Sequence, residues 1–186
     1  MSRSSGLWVV IAVVFGLLPG CANRHLYHQM PVLADLNITF VDAAWDGRTI
    51  PPGQQCRRDG GNGSTPAIRV ANIPPDASQL LIEFSDKSFM PMDKGGHGII
   101  GFHLQPGTSE VTLPSLPGHT FDLPEPYFVV SAHRRASWDA PGAYLPPCSG
   151  GSGNYYYITI KALFAPDQLE QMPKMLGRGK INMGRY

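Results

Sequence analysis

Along most of this chain, apolar and polar residues follow one another in short runs fenced by Gly, Pro, Asp or Asn. The runs are LNITFVDAAW (36–45), AIRVANI (67–73), QLLIEFS (79–85), HGIIGFHL (97–104), EVTLP (110–114), YFVVSAHR (127–134) and YYYITIKALF (155–164). They are rich in Ile, Val, Tyr, Phe and Thr, which fit a pleated, half-buried surface, so each predicts a strand. The 18 prolines and 21 glycines supply the breaks between them. One segment, PDQLEQMPKML (166–176), has helical spacing: Leu169, Met172 and Leu176 share a face, Pro166-Asp167 suits a start, and Pro173 limits it to one or two turns. The tail KINMGRY (180–186) can return as a last strand. There is no internal repeat and no heptad. The pattern predicts an all-β antiparallel sandwich with one short C-terminal helix, and it leaves the strand order open.

The N-terminus departs from this pattern. Arg3 precedes the apolar run LWVVIAVVFGLL (7–18), which is too short to span a bilayer, and the run leads into LPGC (18–21). That order resembles a bacterial lipobox, in which Cys21 is acylated and the chain is cut before it. An ordinary signal peptide with an incidental cysteine is the alternative. The expected organisation is a lipoprotein signal peptide (1–21), a tether without periodicity (22–34) and one domain (35–186). The expected location is the cell envelope, anchored by lipid. Ala22 rather than Asp after Cys21 points to an outer membrane facing the periplasm if the cell has two membranes.

Removal of the first 21 residues takes only Arg3 from the charge count and leaves the domain neutral. Nucleic acid is not an expected partner, since phosphate-backbone binding needs accumulated positive charge. Cys56 and Cys148 remain once Cys21 is set aside. In an oxidising compartment that even remainder reads as a disulfide, with two free thiols as the other reading.

Four loop-to-strand stretches concentrate polar chemistry: CRRDGGNGSTP (56–66) with Asp59 and Asn62, IEFSDKSF (82–89) with Asp86, GGHGII (95–100) with His97, and YLPPCSGGSGNYYY (144–157) with Pro147, Asn154 and Tyr155. His97 has two readings, a ligand at a pocket lip or a strand-leading residue bonded to a turn. The stretches DGGNGSTP (59–66), NIPPDASQLLIEFSD (72–86), GGHGII and PPCSGGSGNYYYITIKAL (146–163), in that order, resemble the phosphatidylethanolamine-binding protein family, in its bacterial Raf kinase inhibitor-like branch.

The resemblance covers roughly residues 36–186. It implies a β-sandwich whose small pocket of Asp and His side chains binds a phosphate or similar oxyanion, with members that bind lipid headgroups or act on protein partners. Carried over, the family's second Asp is Asp86 and its strand His is His97. Its first Asp falls on Phe84, and its His-Arg pair falls on Asn154 and Tyr155. The resemblance implies a ligand set of Asp86, His97 and Asn154, with Asp86 orienting His97 and Asn154 facing it. Asp59, Asn62, Phe84, Pro147 and Tyr155 would line the pocket. It also implies that the Cys56 and Cys148 loops border the same pocket, which favours their pairing.

The expected partner is a small anion or phospholipid headgroup, with a protein partner also open. A structural or interaction module with a degenerate pocket is the alternative. No nucleophile–base pair is legible, no cofactor is implied, and His25, His28 and Met30 read as solvated side chains rather than a metal site. The expectation is a binding protein and not an enzyme.

Overall fold

The computed structural model describes residues 32–166 and 172–186, which lie in one compact unit, Pro31–Tyr186. Residues 1–31 lie outside the described part, and with them the signal peptide, Cys21 and most of the tether. Nine strands follow in chain order: β1 (Ala34–Asp35), β2 (Asn37–Phe40), β3 (Ile68–Ala71), β4 (Gln79–Asp86), β5 (Ile99–His103), β6 (Glu110–Leu113), β7 (Tyr127–Ser131), β8 (Tyr155–Phe164) and β9 (Lys174–Arg185). A six-stranded sheet has the order β1-β9-β8-β4-β5-β7, and a three-stranded sheet has the order β2-β3-β6. All pairs are antiparallel except β1 with β9, so the sandwich is mixed at one edge.

The alternation that predicted the strands also builds the core. Leu80, Ile82 and Phe84 of β4 and Tyr156, Ile158, Ile160 and Ala162 of β8 point inward, where they join Ile68 and Val70 of β3 and Leu113 of β6. Full burial of each such side chain stabilises by roughly 1.5–3 kcal/mol. Truncating one at the centre, Ile160→Ala for example, would cost about 2–5 kcal/mol because the cavity adds to the lost transfer energy. The odd-numbered residues of β8 face the other side of the sheet.

Each predicted strand run contains a strand, and β8 has the predicted bounds. No α-helix occurs among the described residues, which have only the 3-10 turns Arg57–Asp59 and Met90–Met92. Of the helix expected over 166–176, residues 167–171 lie outside the described part, and Lys174–Leu176 form the start of β9. The physical reason is pairing: Lys174 lies opposite Phe164 and Met175 opposite Leu163, which satisfies the backbone of the long strand β8. Strand pairing at the N-terminal side begins at Ala34, the last residue of the expected tether.

Candidate functional site

The loops at the Asp86 end of β4 and the Tyr155 end of β8 are held together by covalent and polar bonds. Cys56 and Cys148 form a disulfide with a Cα–Cα distance of 5.2 Å, and the Cys56 N–H donates to the Pro147 carbonyl at 2.9 Å. Beside the disulfide, Arg58 is fixed from several sides. Its Nη2 donates to the Cys148 carbonyl at 2.7 Å, its Nε to Asp59 Oδ1 at 3.1 Å, and its N–H to Asp139 Oδ2 at 3.1 Å. Asp139 also accepts from His119 Nε2 at 2.9 Å. Burial pushes the Asp139 carboxyl up, but the N–H groups of Arg58 and Ala140 and the neighbouring His119 outweigh it and leave it below the usual range.

These ties hold Trp138 in place. Its ring centre lies 5.3 Å from the guanidinium carbon of Arg58, 4.9 Å from that of Arg135 and 5.6 Å from the ring of Phe89. Across from this wall, Asn154 Nδ2 donates to Asp86 Oδ2 at 2.6 Å, and the Ser88 N–H donates to Asp86 Oδ1 at 2.8 Å. The result is an open cleft of about 250 Å³ lined by Arg58, Asp86, Phe89, Trp138, Cys148, Ser149, Ser152 and Asn154. Burial raises the Asp86 carboxyl above its ordinary value despite the bonds from Asn154 and Ser88. The cleft therefore combines one fixed guanidinium, one carboxyl that holds its proton more tightly than usual, an amide, two hydroxyls and an aromatic wall.

His97 is elsewhere. It is 2 % exposed, so it is not at a pocket lip. Its Nδ1 lies 2.8 Å from the Leu145 carbonyl, which can only accept, so Nδ1 carries the proton. Its N–H donates to the Phe84 carbonyl, its own carbonyl accepts from Leu145, and its ring meets Tyr156 edge-on at 5.3 Å. Asp86 does not orient it, because the Leu145 carbonyl occupies the Nδ1 proton and the Asp86 carboxylate is bonded to Asn154 and Ser88. Burial holds the imidazole neutral, with its pKa lowered to about 4. Phe84 and Pro147, expected to line an open pocket, close over this inner space together with Ser85, Tyr144, Leu145, Tyr156 and Met183. The Phe84 and Tyr144 rings stand 4.5 Å apart. Among the described residues, the buried Tyr144 hydroxyl has no hydrogen-bond partner.

Of the expected site residues, only Asp86 and Asn154 meet in the open cleft. Asp59 stands behind Arg58 and accepts the Gly150 N–H at 2.7 Å. Asn62 accepts from Arg57 Nε at 3.1 Å, outside the cleft lining. Tyr155 belongs to a separate hollow on the other face of the sheet with Lys87, Ser88 and Arg185. Arg58, Phe89 and Trp138 were missed. The only sequence signals for them were a basic pair and a lone Trp beside Arg134-Arg135, neither at a motif spacing. Among the described residues, Cys56, Asp139 and Cys148 cluster closely enough for metal ligands, but the disulfide takes both sulfurs.

No protein-family model and no curated protein matches this sequence. Its fold does match solved structures. One is the crystal structure of a Chlamydia trachomatis protein described as a phosphatidylethanolamine-binding protein homologue, with a TM-score of 0.51 and 18 % identity, covering 82 % of this chain and 97 % of that one. The chain thus has the phosphatidylethanolamine-binding-protein fold, as the ordered motifs implied.

Proposed function

We propose that this protein is a non-catalytic, lipid-anchored envelope member of the phosphatidylethanolamine-binding family that binds a small phosphate-like ligand or headgroup in the Arg58–Asp86 cleft. The observation that carries this reading is the meeting of Arg58, Asp86 and Trp138 at one concave site. A guanidinium held by a carbonyl and a carboxylate is already oriented, so a ligand oxyanion would meet it with little further ordering. The Asp86 carboxylate suits the ammonium of a zwitterionic headgroup by charge.

The test is chemical-shift titration with inorganic phosphate and with phosphoethanolamine, read at the Trp138 indole and the Asn154 amide. Arg58→Gln should abolish the shifts. Asn154→His should strengthen binding by about tenfold, since a bond from a charged donor is worth roughly 1 kcal/mol more than one from a neutral donor. Phosphoethanolamine binding more tightly than phosphate would identify the ammonium half as a contact. The anchor is tested by metabolic labelling with a fatty acid, which should mark the wild type and not Cys21→Ser.

The alternative, an interaction module without a ligand, is favoured by one observation: His97, Phe84 and Tyr144 sit in a closed inner space rather than an open pocket. If millimolar phosphoethanolamine moves no resonance around the cleft, that alternative holds.

A further inference from the structure

The six-stranded sheet has a second face, turned away from the core. Odd-numbered residues of β8 lie on it, and the register with β9 sets Lys161 opposite Arg178 and Thr159 opposite Lys180. The Lys180 ammonium caps the Tyr157 ring at 3.6 Å, and the Arg185 guanidinium lies 5.4 Å from the Tyr155 ring centre. Lys87, Ser88, Tyr155 and Arg185 surround an open hollow of about 510 Å³. Lys94 is carried by the turn whose Gly95 N–H donates to Ser85 Oγ and whose Asp93 accepts from the Tyr157 hydroxyl.

Six cations therefore share this face. Among the described residues, its acids are Glu83, paired with Lys161, Asp93, bonded to Tyr157, and Asp35, in register with Arg178. Among the described residues this face therefore carries a local surplus of positive charge.

We infer that this face docks on an anionic lipid surface, the bilayer to which the protein is anchored. The inference takes the anchor from the function proposed above, and its test does not depend on it. Two observations beyond the charge point to a bilayer. The chain enters the fold at β1, the strand beside β9, so the tether leaves from the edge of this same sheet. From Cys21 to Ala34 the tether spans at most about 45 Å when fully extended, which keeps the face within reach of the membrane. The part-exposed Tyr155 ring beside Arg185 adds a group suited to the headgroup layer. Asp86 and Asn154 line the cleft on the other side of the β4–β8 ladder from Lys87 and Tyr155, so docking leaves the cleft free for a soluble ligand.

The experiment uses residues 22–186, which contain the whole compact unit and lack the acylation site. Co-sedimentation is measured with phosphatidylcholine vesicles and with vesicles enriched in phosphatidylglycerol. Binding is expected only to the anionic vesicles and should weaken as salt rises. Arg178→Gln and Lys180→Gln should each lower the partition coefficient about fivefold, roughly twenty-five-fold together, with unchanged thermal melts. Arg58→Gln should leave vesicle binding intact. Equal sedimentation with both vesicle types, or none with either, overturns the inference. Loss of binding in Arg58→Gln but not in the β9 variants would assign the lipid to the cleft instead. Self-association on gel filtration that disappears in the β9 variants would assign the face to a second copy. Absence of phosphoethanolamine binding at the cleft would bear on the proposed function and not on this face.

Discussion

Acidification should destabilise this protein through His97, by an amount set by the burial of one ring. In the folded chain the imidazole is neutral, donates from Nδ1 to the Leu145 carbonyl, and has a pKa lowered to about 4 by burial, against an ordinary value of 6.5. A depressed histidine contributes its full stability above pH 6.5. Between 6.5 and about 4 the unfolded chain holds one proton more than the native one, so stability falls with pH. The slope approaches 1.4 kcal/mol per pH unit and totals about 3 kcal/mol over the window. Below about 4 both states are protonated and this contribution is flat.

His133, also lowered by burial, adds in the same direction. Asp86, raised by burial, acts oppositely just above 3.8, where the native state takes up its proton first. Urea unfolding followed by tryptophan fluorescence, repeated from about pH 7 down to about pH 4, measures the slope. His97→Asn keeps an amide donor near the Nδ1 position and removes the titration. Its stability at neutral pH will be lower because part of the ring contact with Tyr156 is gone, but its profile should be flatter by about 1 kcal/mol per unit through the window. An equally steep profile in His97→Asn would refute the reasoning.

Two further outcomes follow from the same region. The Cys56–Cys148 bond spans 92 residues, and the chain-entropy model gives such a loop roughly 4–5 kcal/mol; Cys56→Ser/Cys148→Ser should lose most of this in urea unfolding, and non-reducing alkylation should label no thiol in the wild type beyond Cys21 if that residue is not acylated. Gly98 has φ +118°, and a Cβ there would lie 1.9 Å from the Ala143 carbonyl oxygen, so Gly98→Ala should cost more than about 3 kcal/mol, measurable as a lowered urea midpoint.

The strands were legible where alternation was strong and illegible where glycine interrupted it. YYYITIKALF is an aliphatic and aromatic run broken only by Thr159 and Lys161 at alternate positions, and β8 matches it end to end. KMLGRGKINMGR reads as a helix end and a tail because Gly177 and Gly179 break the apolar pattern. Those glycines serve a different neighbour: a Cβ at Gly177 would stand 3.1 Å from the Ala34 carbonyl oxygen, and one at Gly179 only 2.5 Å from that of Leu36. The close approach of the N-terminal chain, itself bonded through the Leu36 N–H to the Arg178 carbonyl, requires them. Such an approach leaves no periodic trace in the sequence.

The candidate site was half legible for a related reason. Asp86 ends β4 and Asn154 immediately precedes β8, and the two strands pair directly with Asp86 in register with Tyr156, so order along the chain was enough to bring them together. Arg58 and Trp138 come from aperiodic segments, which meet through the Arg58 guanidinium on the Trp138 ring and the Arg58 N–H bond to Asp139. His97 does not pair with Asp86 because its Nδ1 proton goes to the Leu145 carbonyl and Asp86 is bonded to Asn154 and Ser88; the closed space around the ring follows from position 84. The resembling family carries its first Asp there, and this chain has Phe84, buried against Tyr144. A carboxylate at that place would need solvent or a partner and would hold the inner space open, whereas a phenyl ring gains by excluding water and packs it shut. With the ring in place, His97 is sealed with its proton on Leu145, and the Tyr144 hydroxyl is left without a partner among the described residues. The polar chemistry lies in the open cleft, at the carboxyl of Asp86, the amide of Asn154 and the guanidinium of Arg58. Hydrocarbon at position 84 thus fits the closed inner space, while the polar groups line the open cleft.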